Sequence, residues 1–232
     1  MKILIVGGHC ALAQILSLVL ASLGEALTAG RSGCDETLAL CHATIESGIR
    51  HFVNISSINA YLDSDSAFYG AYSLSKRHGD ELVQLYCSRA GLPCAILQPS
   101  QLYGEPDSFR RNQPFVYDTL DKTLLDEAIV IYRSRDAQRN YLHAQDFCRI
   151  SSRVVGLYAS TTAQDSSLLA VSSTIVKTAG SAGKVVFNRA MNDIADSVFP
   201  YDDTLYRSIG TYPEIDLNDG MGRLVANRLI MS

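Results

Sequence analysis

The 232-residue sequence has no excess of basic residues: 20 lysines and arginines stand against 24 aspartates and glutamates, a formal net charge of −4. Proteins that bind a nucleic-acid backbone by releasing counterions present a basic surface, so nucleic-acid binding is disfavoured. Internal repeats and low-complexity stretches are also missing. Because 47% of the residues are hydrophobic, we expect a sizeable core in one domain, or in a large lobe with a small one, and neither a fibre nor a disordered tail.

The six cysteines form no C-x-x-C pair and have no histidine at zinc-finger spacing, so no metal site is expected. Several lie in apolar runs, such as residues 94–97, where thiols are typically buried and reduced. This favours the cytoplasm over a disulfide framework in an oxidising compartment. The apolar stretch of residues 2–23 is interrupted by Gly7, Gly8 and Gln14, so we expect neither a membrane span nor a secretory signal.

Hydrophobic patterning predicts strands and helices in alternation. Residues 2–6 form a run rich in β-branched side chains without polar alternation, which is typical of a strand buried on both faces of a parallel sheet. Apolar residues then recur at helical spacing over 11–23. A second strand is predicted at 26–29, and a second helix from Glu36 to its terminating Gly48.

The clearest unit is a strand at 51–55, a helix over 72–90 closed by Gly91, and a strand at 94–97. Such βαβ crossovers build parallel sheets whose ligand sites lie at the carboxyl ends of the strands. Further along the chain, the pattern predicts helices at 116–128, 145–158 and 218–229, and a strand at 129–132. The expected fold class is therefore α/β.

The glycine turn after the first strand is a candidate phosphate site, because amides at a helix N-terminus can hold a pyrophosphate. Gly7, followed by Gly8, occupies the first position of the dinucleotide fingerprint. Cys10 stands at the second position, where its side chain would obstruct the pyrophosphate, and Ala13 at the third, where a small residue suffices. From these residues alone, a dinucleotide site and a plain strand-to-helix connection are equally compatible with the turn.

Arg31 follows the second predicted strand, at a position where an acidic residue would bind a ribose 2′-hydroxyl. An arginine favours a 2′-phosphate instead, so any cofactor would lean towards NADP(H). A solvated surface arginine is the alternative.

A serine, a tyrosine and a lysine form the strongest candidate site. Ser56 and Ser57 end the strand at 51–55, while Tyr72 and Lys76 begin the next helix and share one of its faces. A nearby ammonium stabilises the phenolate, which makes Tyr72 a proton acceptor or donor for a substrate hydroxyl or carbonyl. Ser57 could hydrogen-bond the same oxygen. An exposed helix whose tyrosine and lysine have no chemical role is the alternative.

Four segments, in this order, resemble motifs of the extended short-chain dehydrogenase/reductase group, the NAD(P)-dependent epimerase/dehydratase family that acts mostly on nucleotide sugars. They are VGGHCALA at 6–13, FVNISS at 52–57 with YSLSK at 72–76, QPSQLYG at 98–104, and RNYLHAQD at 139–146. The tail at 209–220 is similar to the closing motif of the family. The resemblance implies a shortened, Rossmann-like doubly wound parallel sheet at 1–106, and a small α/β substrate lobe at 107–232 with parts that return to the first domain.

The resemblance also implies roles for individual residues. Tyr72 would be the catalytic acid/base, Lys76 would hold the nicotinamide ribose, Ser57 would polarise the substrate, and Arg139 would bind the diphosphate of a nucleotide sugar. For Arg139, a loop arginine in a surface ion pair is the alternative. A homodimer paired through the helix at 72–90 is expected on the same grounds. The cofactor NAD(P) would contact these residues: Gly7, Gly8, Cys10, Ala13, Arg31, Lys76 and Pro99.

The chain departs from the family between Arg31 and residue 35, where the family has two further strands with their helix. Without a central strand, residues 2–6 would pair directly with residues 51–55 or leave backbone groups unpaired. Gln98 replaces the usual arginine, Cys10 replaces a glycine, and the segment after Ser173 is short. These departures indicate a trimmed member that holds cofactor poorly.

Two hypotheses about function follow. The first is an NAD(P)-dependent epimerase/dehydratase or reductase acting on a nucleotide sugar or related polyol. The second is a non-catalytic binding or regulatory descendant that has lost cofactor binding. A serine hydrolase is disfavoured because no G-x-S-x-G elbow surrounds any serine.

Overall fold

The computed structural model describes residues 2–6, 12, 15, 25–29, 34–47, 49, 51–132, 134–151, 154, 156–190 and 193–231. The strands in this part of the chain are β1 (Lys2–Val6), β2 (Glu25–Ala29), β3 (Phe52–Ile55), β4 (Cys94–Pro99), β5 (Gln101–Tyr103), β6 (Ile129–Ile131), β7 (Gln138–His143), β8 (Gly156–Ser160), β9 (Asp165–Ser167) and β10 (Val185–Phe187). The helices are α1 (Cys34–Glu46), α2 (Ala71–Ala90), α3 (Pro114–Leu124), α4 (Ala144–Ser151), α5 (Leu168–Ala179), α6 (Thr204–Ile209) and α7 (Leu217–Met231). Two 3₁₀ turns span Ile58–Tyr61 and Asp107–Arg111. The predicted helix at 11–23 falls largely outside the described residues.

The chain divides into two compact units. The first unit comprises Met1–Ser100, Phe147–Ser160 and Asp202–Tyr212, and the second comprises Gln101–Asp146, Thr161–Tyr201 and Pro213–Ser232. In the first unit β1 pairs with β2, and β3, β4 and β8 form a three-stranded sheet, with all pairings parallel. In the second unit β7 pairs in parallel with β5 and antiparallel with β9, while β6 and β10 form a parallel pair. The predicted α/β class is confirmed.

The predicted βαβ crossover is present as β3, α2 and β4. Helix α2 ends where Gly91 adopts the left-handed conformation, with φ at 62°. The amide of Gly91 donates to the carbonyls of Cys87 and Ser88, and the amide of Leu92 donates to the carbonyl of Cys87 at 2.9 Å. Glycine adopts this conformation without steric cost, so the end of α2 is encoded locally.

The helix predicted at 145–158 is wrong in its second half. Helix α4 ends at Ser151, and Gly156 starts strand β8 with φ at 120°, a value that no helix contains. Strand β8 pairs in parallel with β4, from Ala95 opposite Gly156 to Pro99 opposite Ser160. The helical spacing of apolar residues therefore gives way to a pairing with a strand far away in the sequence.

Two other expectations also need correction. The helix predicted at 116–128 ends at Leu124, because Asp126 turns left-handed with φ at 55° and its carboxylate accepts from the Ser181 hydroxyl and the Ala182 amide. Strand β1 pairs with β2, and among the described strands no ladder joins β1 to β3. Direct pairing of residues 2–6 with residues 51–55 is therefore not observed.

Each unit has its own buried apolar cluster. In the first unit, helices α1 and α2 pack on the sheet through Cys41, Phe52, Val83, Cys87 and Ile96. In the second unit, a cluster contains Ile131, Ala137 and Leu168. Among the described helices, none combines the length and the apolar character that crossing a bilayer requires.

Candidate functional site

Tyr72 and Lys76 lie on the first two turns of α2, in the first unit. The Lys76 ammonium is 5.8 Å from the centroid of the Tyr72 ring, so the two side chains share a face as the four-residue spacing predicts. A cation at this distance is within the range of attraction to an aromatic ring. The Tyr72 side chain is half exposed, at 55%. The hydroxyl of Tyr72 is therefore open to a ligand beside a positive charge.

Ser57 is the N-cap of the 3₁₀ turn that follows β3. Its hydroxyl oxygen accepts from the Asn59 amide at 3.3 Å, and a hydroxyl that accepts still carries its own proton to donate. Ser56 differs, because its buried hydroxyl donates to Asp80 at 2.8 Å. Of the two serines, Ser57 has the hydroxyl that is available to a substrate oxygen.

Asp80 is a buried carboxylate of α2 that the sequence analysis missed. It accepts hydrogen bonds from Asn54 at 2.9 Å, Ser56 at 2.8 Å and Gln98 at 2.8 Å, so it links α2 to the ends of β3 and β4. Burial raises the pKa of the Asp80 carboxyl, while these hydrogen bonds and the Lys76 ammonium partly offset the rise. No local motif identifies this residue, because its partners come from two distant segments.

Arg77 was missed as well. Its guanidinium donates from Nε to the Ala60 carbonyl at 3.0 Å and from Nη2 to the Leu62 carbonyl. Helix α2 packs against the 3₁₀ turn at this point. A bidentate contact to backbone carbonyls leaves no signal in the residue types around it, so only the structure reveals it.

The carboxyl ends of β4 and β8 carry two buried serines. Pro99 is the last residue of β4 and Ser100 follows it, and the Ser100 amide donates to the Ser160 carbonyl at 3.0 Å. Among the described residues, neither the Ser100 nor the Ser160 hydroxyl has a hydrogen-bond partner. Buried hydroxyls are normally paired, and ligands of open parallel sheets bind at this end of the strands. The two hydroxyls, with Lys76, are groups that a cofactor could satisfy.

Arg139 lies on β7 in the second unit and is 7% exposed, so it is not a surface arginine of a loop. Its Nη1 donates to the carbonyls of Gln138 at 2.7 Å and Ala195 at 2.9 Å. These contacts fix the plane of the guanidinium. A fixed guanidinium is suited to a planar or diphosphate acceptor.

The remaining cofactor predictions lie outside the described residues: Gly7, Gly8, Cys10, Ala13 and Arg31. Within the described residues, no group of three or more histidine, cysteine, aspartate or glutamate side chains is arranged to hold a metal ion.

Comparison with known proteins identifies relatives by sequence. The model of the NAD dependent epimerase/dehydratase family matches residues 8–166. A Methanocaldococcus jannaschii protein assigned as a UDP-glucose 4-epimerase is 24% identical over 158 residues, which cover 66% of this chain and 52% of that protein. GDP-L-fucose synthase of Escherichia coli is 25% identical over 171 residues, which cover 65% and 53%. The chain spans about half the length of these curated relatives.

Solved structures share the fold. The UDP-glucose 4-epimerase of Thermotoga maritima with UDP-glucose has a TM-score of 0.81 at 15% identity, and the match covers 100% of both chains. The UDP-glucuronic acid 4-epimerase of Bacillus cereus with UDP-glucuronic acid and NAD has a TM-score of 0.75 at 14% identity, again over 100% of both chains. RMD of Pseudomonas aeruginosa with NADPH has a TM-score of 0.79 at 14% identity, over 100% of this chain and 98% of the other. The fold is thus the Rossmann-like α/β fold of these enzymes. Because the family model covers more than half of the sequence, the chain belongs to the NAD dependent epimerase/dehydratase family.

Proposed function

We propose that this chain catalyses an NAD(P)-dependent epimerisation, dehydration or reduction of a nucleotide sugar, with Tyr72 as the acid/base. The pairing of Tyr72 with Lys76 carries this proposal. A half-exposed phenol with an ammonium 5.8 Å from its ring, at the start of a helix anchored to the sheet edge, is arranged for proton transfer.

In the proposed step, the Tyr72 oxygen takes the proton of a sugar hydroxyl. The positive charge of Lys76 beside the Tyr72 ring would favour this transfer. Ser57 donates its hydroxyl proton to the same sugar oxygen and orients it. Lys76 and the residues at the end of β4 would hold a nicotinamide cofactor, which would accept the hydride from the sugar carbon. In the reverse direction, Tyr72 returns the proton to the oxygen of the carbonyl.

The substrate class rests on Arg139 and on the relatives. The Arg139 guanidinium is held by the carbonyls of Gln138 and Ala195, and a planar guanidinium is suited to binding a diphosphate. The sequence relatives are named for a UDP sugar and a GDP sugar. We propose a nucleoside diphosphate sugar as the substrate.

For the cofactor, we propose NADP(H) over NAD(H), on the basis of Arg31. In the sequence Arg31 comes shortly after the second strand, where an arginine would provide a positive charge for a 2′-phosphate and no acceptor for a 2′-hydroxyl. Ser100, Ser160, Pro99 and Lys76 would line the nicotinamide half of the cofactor.

Replacement of Tyr72 by phenylalanine tests the proposed chemistry. Turnover of UDP-glucose, UDP-N-acetylglucosamine and UDP-glucuronic acid is followed by chromatography with NAD and with NADP present. The Tyr72→Phe variant should lose roughly 10²–10⁴-fold in turnover, because general acid–base catalysis contributes about that much. Loss of one hydroxyl from a half-exposed side chain should leave the fold intact.

Tyr86 on the same helix provides the matched control. It packs edge-to-face on His42 and lies fourteen residues, or about 21 Å, further along the helix than Tyr72. Tyr86→Phe should keep the turnover of the wild type. Turnover by Tyr72→Phe at the wild-type rate would refute the proposed role of Tyr72.

A second candidate function is a non-catalytic descendant that no longer binds cofactor. Among the described strands, no ladder joins the β1–β2 pair to the β3–β4–β8 sheet, and this favours the second candidate, because the resemblance implies a central strand between them. It predicts no nicotinamide-dependent turnover of any nucleotide sugar by a folded chain. Cofactor binding distinguishes the two candidates.

A further inference from the structure

The side chain of Arg77 bridges the two segments that carry the proposed catalytic groups. Arg77 follows Lys76 on α2, and its guanidinium contacts the carbonyls of Ala60 and Leu62 at the far end of the 3₁₀ turn. Ser57 caps the near end of the same turn. One planar group therefore connects the helix of Tyr72 to the turn of Ser57.

The carbonyls that Arg77 contacts are ones that a short helix leaves without amide partners. Inside the turn, the Ala60 amide donates to Ser57 at 3.0 Å and the Leu62 amide donates to Asn59 at 3.1 Å. The carbonyls at the C-terminal end of the turn point away from it along its axis, and a cation beside them is favourable. Arg77 supplies the cation together with two correctly spaced N–H groups, which a lysine does not.

We propose that Arg77 is a positioning residue that fixes the Ser57 hydroxyl relative to the Tyr72 hydroxyl. The proposal rests on the proposed function, because it assigns Arg77 no contact with substrate or cofactor. The 3₁₀ turn is only four residues long and lies beyond the end of β3. Without the guanidinium, the C-terminal end of the turn loses two hydrogen bonds to α2. The Ser57 hydroxyl is then no longer fixed relative to the Tyr72 hydroxyl.

Amide hydrogen exchange tests whether Arg77 holds the 3₁₀ turn, independently of activity. In Arg77→Ala, the amides of Ala60 and Leu62 should exchange faster than in the wild type, since the turn opens more often. Exchange in strand β4 and in the last turns of α2 should stay at the wild-type rate. Arg89→Ala is the matched control, because Arg89 is an exposed arginine in the last turn of the same helix. Unchanged exchange at Ala60 and Leu62 would overturn the proposal.

Turnover of UDP-sugars tests the consequence for catalysis. A misplacement of about 1 Å can cost roughly 10²-fold in rate, so kcat of Arg77→Ala should fall by up to that factor. The KM should change by no more than about twofold, because no binding contact is removed. The kcat of Arg77→Lys should lie between those of the wild type and Arg77→Ala. Lysine keeps the positive charge but lacks the two parallel N–H donors of the guanidinium.

Chemical rescue separates positioning from a general loss of stability. Millimolar guanidinium chloride should raise the kcat of Arg77→Ala towards the wild-type value, because the free ion can occupy the vacated site between the two carbonyls. Tetramethylammonium chloride at the same concentration should not. An unchanged kcat in Arg77→Ala, or a loss that guanidinium does not reverse, would overturn the catalytic role. A wild type without turnover would overturn the proposed function, whereas the exchange of Ala60 and Leu62 would still decide whether Arg77 holds the turn.

Discussion

Asp80 places a carboxylate in the interior with only neutral side chains as hydrogen-bond donors. The residue is 4% exposed, and Asn54, Ser56 and Gln98 all donate to it. Gln98 must turn its amide nitrogen towards Asp80, because a carboxylate only accepts. In the sequence Gln98 is a departure from the family pattern, which has an arginine there. In the fold, its amide nitrogen donates a hydrogen bond to the buried Asp80. Burial outweighs these bonds and raises the pKa of the carboxyl.

The raised pKa predicts the pH dependence that Asp80→Asn should change. The folded state holds the Asp80 proton more tightly than the unfolded state, so this residue stabilises the fold fully below its ordinary pKa of 3.8 and loses that effect as the pH rises through the folded value. Asparagine cannot ionise. The free energy of unfolding of the wild type minus that of Asp80→Asn should therefore decrease as the pH rises from about 4 towards 7, as measured by urea unfolding.

Asp126→Asn provides a control of opposite sign. Hydrogen bonds from Ser181 and Ala182 lower the pKa of the exposed Asp126 carboxyl, so its stabilisation is present above the ordinary pKa and is lost on acidification. Asparagine also tolerates the left-handed backbone there. For this pair the difference, wild type minus variant, should increase with pH. The same sign in both pairs would contradict the assigned causes.

Single residues show which parts of the site the sequence could reveal. The Tyr72 and Lys76 pairing depends only on helical geometry, so their spacing was sufficient to predict a shared face. Arg77 and Asp80 depend on carbonyls and side chains that folding brings from other segments. No spacing rule encodes such partners, which is why both residues were missed.

At the scale of elements, helix α7 contains two glycines in contrasting surroundings. A Cβ at Gly220 would overlap the hydroxyl oxygen of the buried Tyr103 and come within 2.8 Å of its Cζ. A Cβ at Gly222 would meet nothing nearer than the Thr178 Cγ2 at 3.8 Å. Both glycines lie within the same helix, so they differ in the side chains that surround them.

Alanine substitutions at these glycines should therefore have opposite effects. Gly220→Ala should destabilise the protein by about 1–3 kcal/mol, the usual cost of overpacking a site whose neighbours cannot move away. Gly222→Ala should stabilise it by about 0.5–1 kcal/mol, because alanine is the better helix former. Urea unfolding of both variants measures these changes. Destabilisation by both substitutions to the same extent would contradict the contact between Gly220 and Tyr103.

Elements with local signals were predicted well, and elements with distant partners were not. The end of α2 follows from Gly91, a glycine directly after a predicted helix, so the sequence was sufficient. Strand β8 was predicted as helix, because Phe147, Ile150 and Val154 have helical spacing that Leu157 and Tyr158 continue. Pairing with β4 determines its structure, and that partner lies more than fifty residues earlier in the chain.

At the scale of the whole molecule, a shared fold does not by itself establish a working cofactor site. The TM-score of 0.81 to the UDP-glucose 4-epimerase of Thermotoga maritima shows that the chain shares its fold. The β1–β2 pair, however, has no ladder to the β3–β4–β8 sheet among the described strands. In the sequence Gly7 and Gly8 follow β1 and the proposed catalytic groups follow β3, so the cofactor binding that we propose would require both parts.

Thermal unfolding with cofactor measures this dependence directly. A ligand that binds only the folded chain adds about 2.7 kcal/mol of stability at one hundred times its Kd. For a chain of this size, that should raise Tm by roughly 5–10 °C. NADPH should give a larger rise than NADH at equal concentration, because Arg31 favours a 2′-phosphate.

Lys76→Met should reduce the rise in Tm with either cofactor, whereas Arg89→Ala on the same helix should not. An equal rise with NADH and NADPH would refute the preference assigned to Arg31 and leave cofactor binding intact. No rise with either cofactor in a folded wild type would favour the non-catalytic descendant. The helix that carries Tyr72 and Lys76 would then be folded correctly, but no cofactor would be bound to accept a hydride.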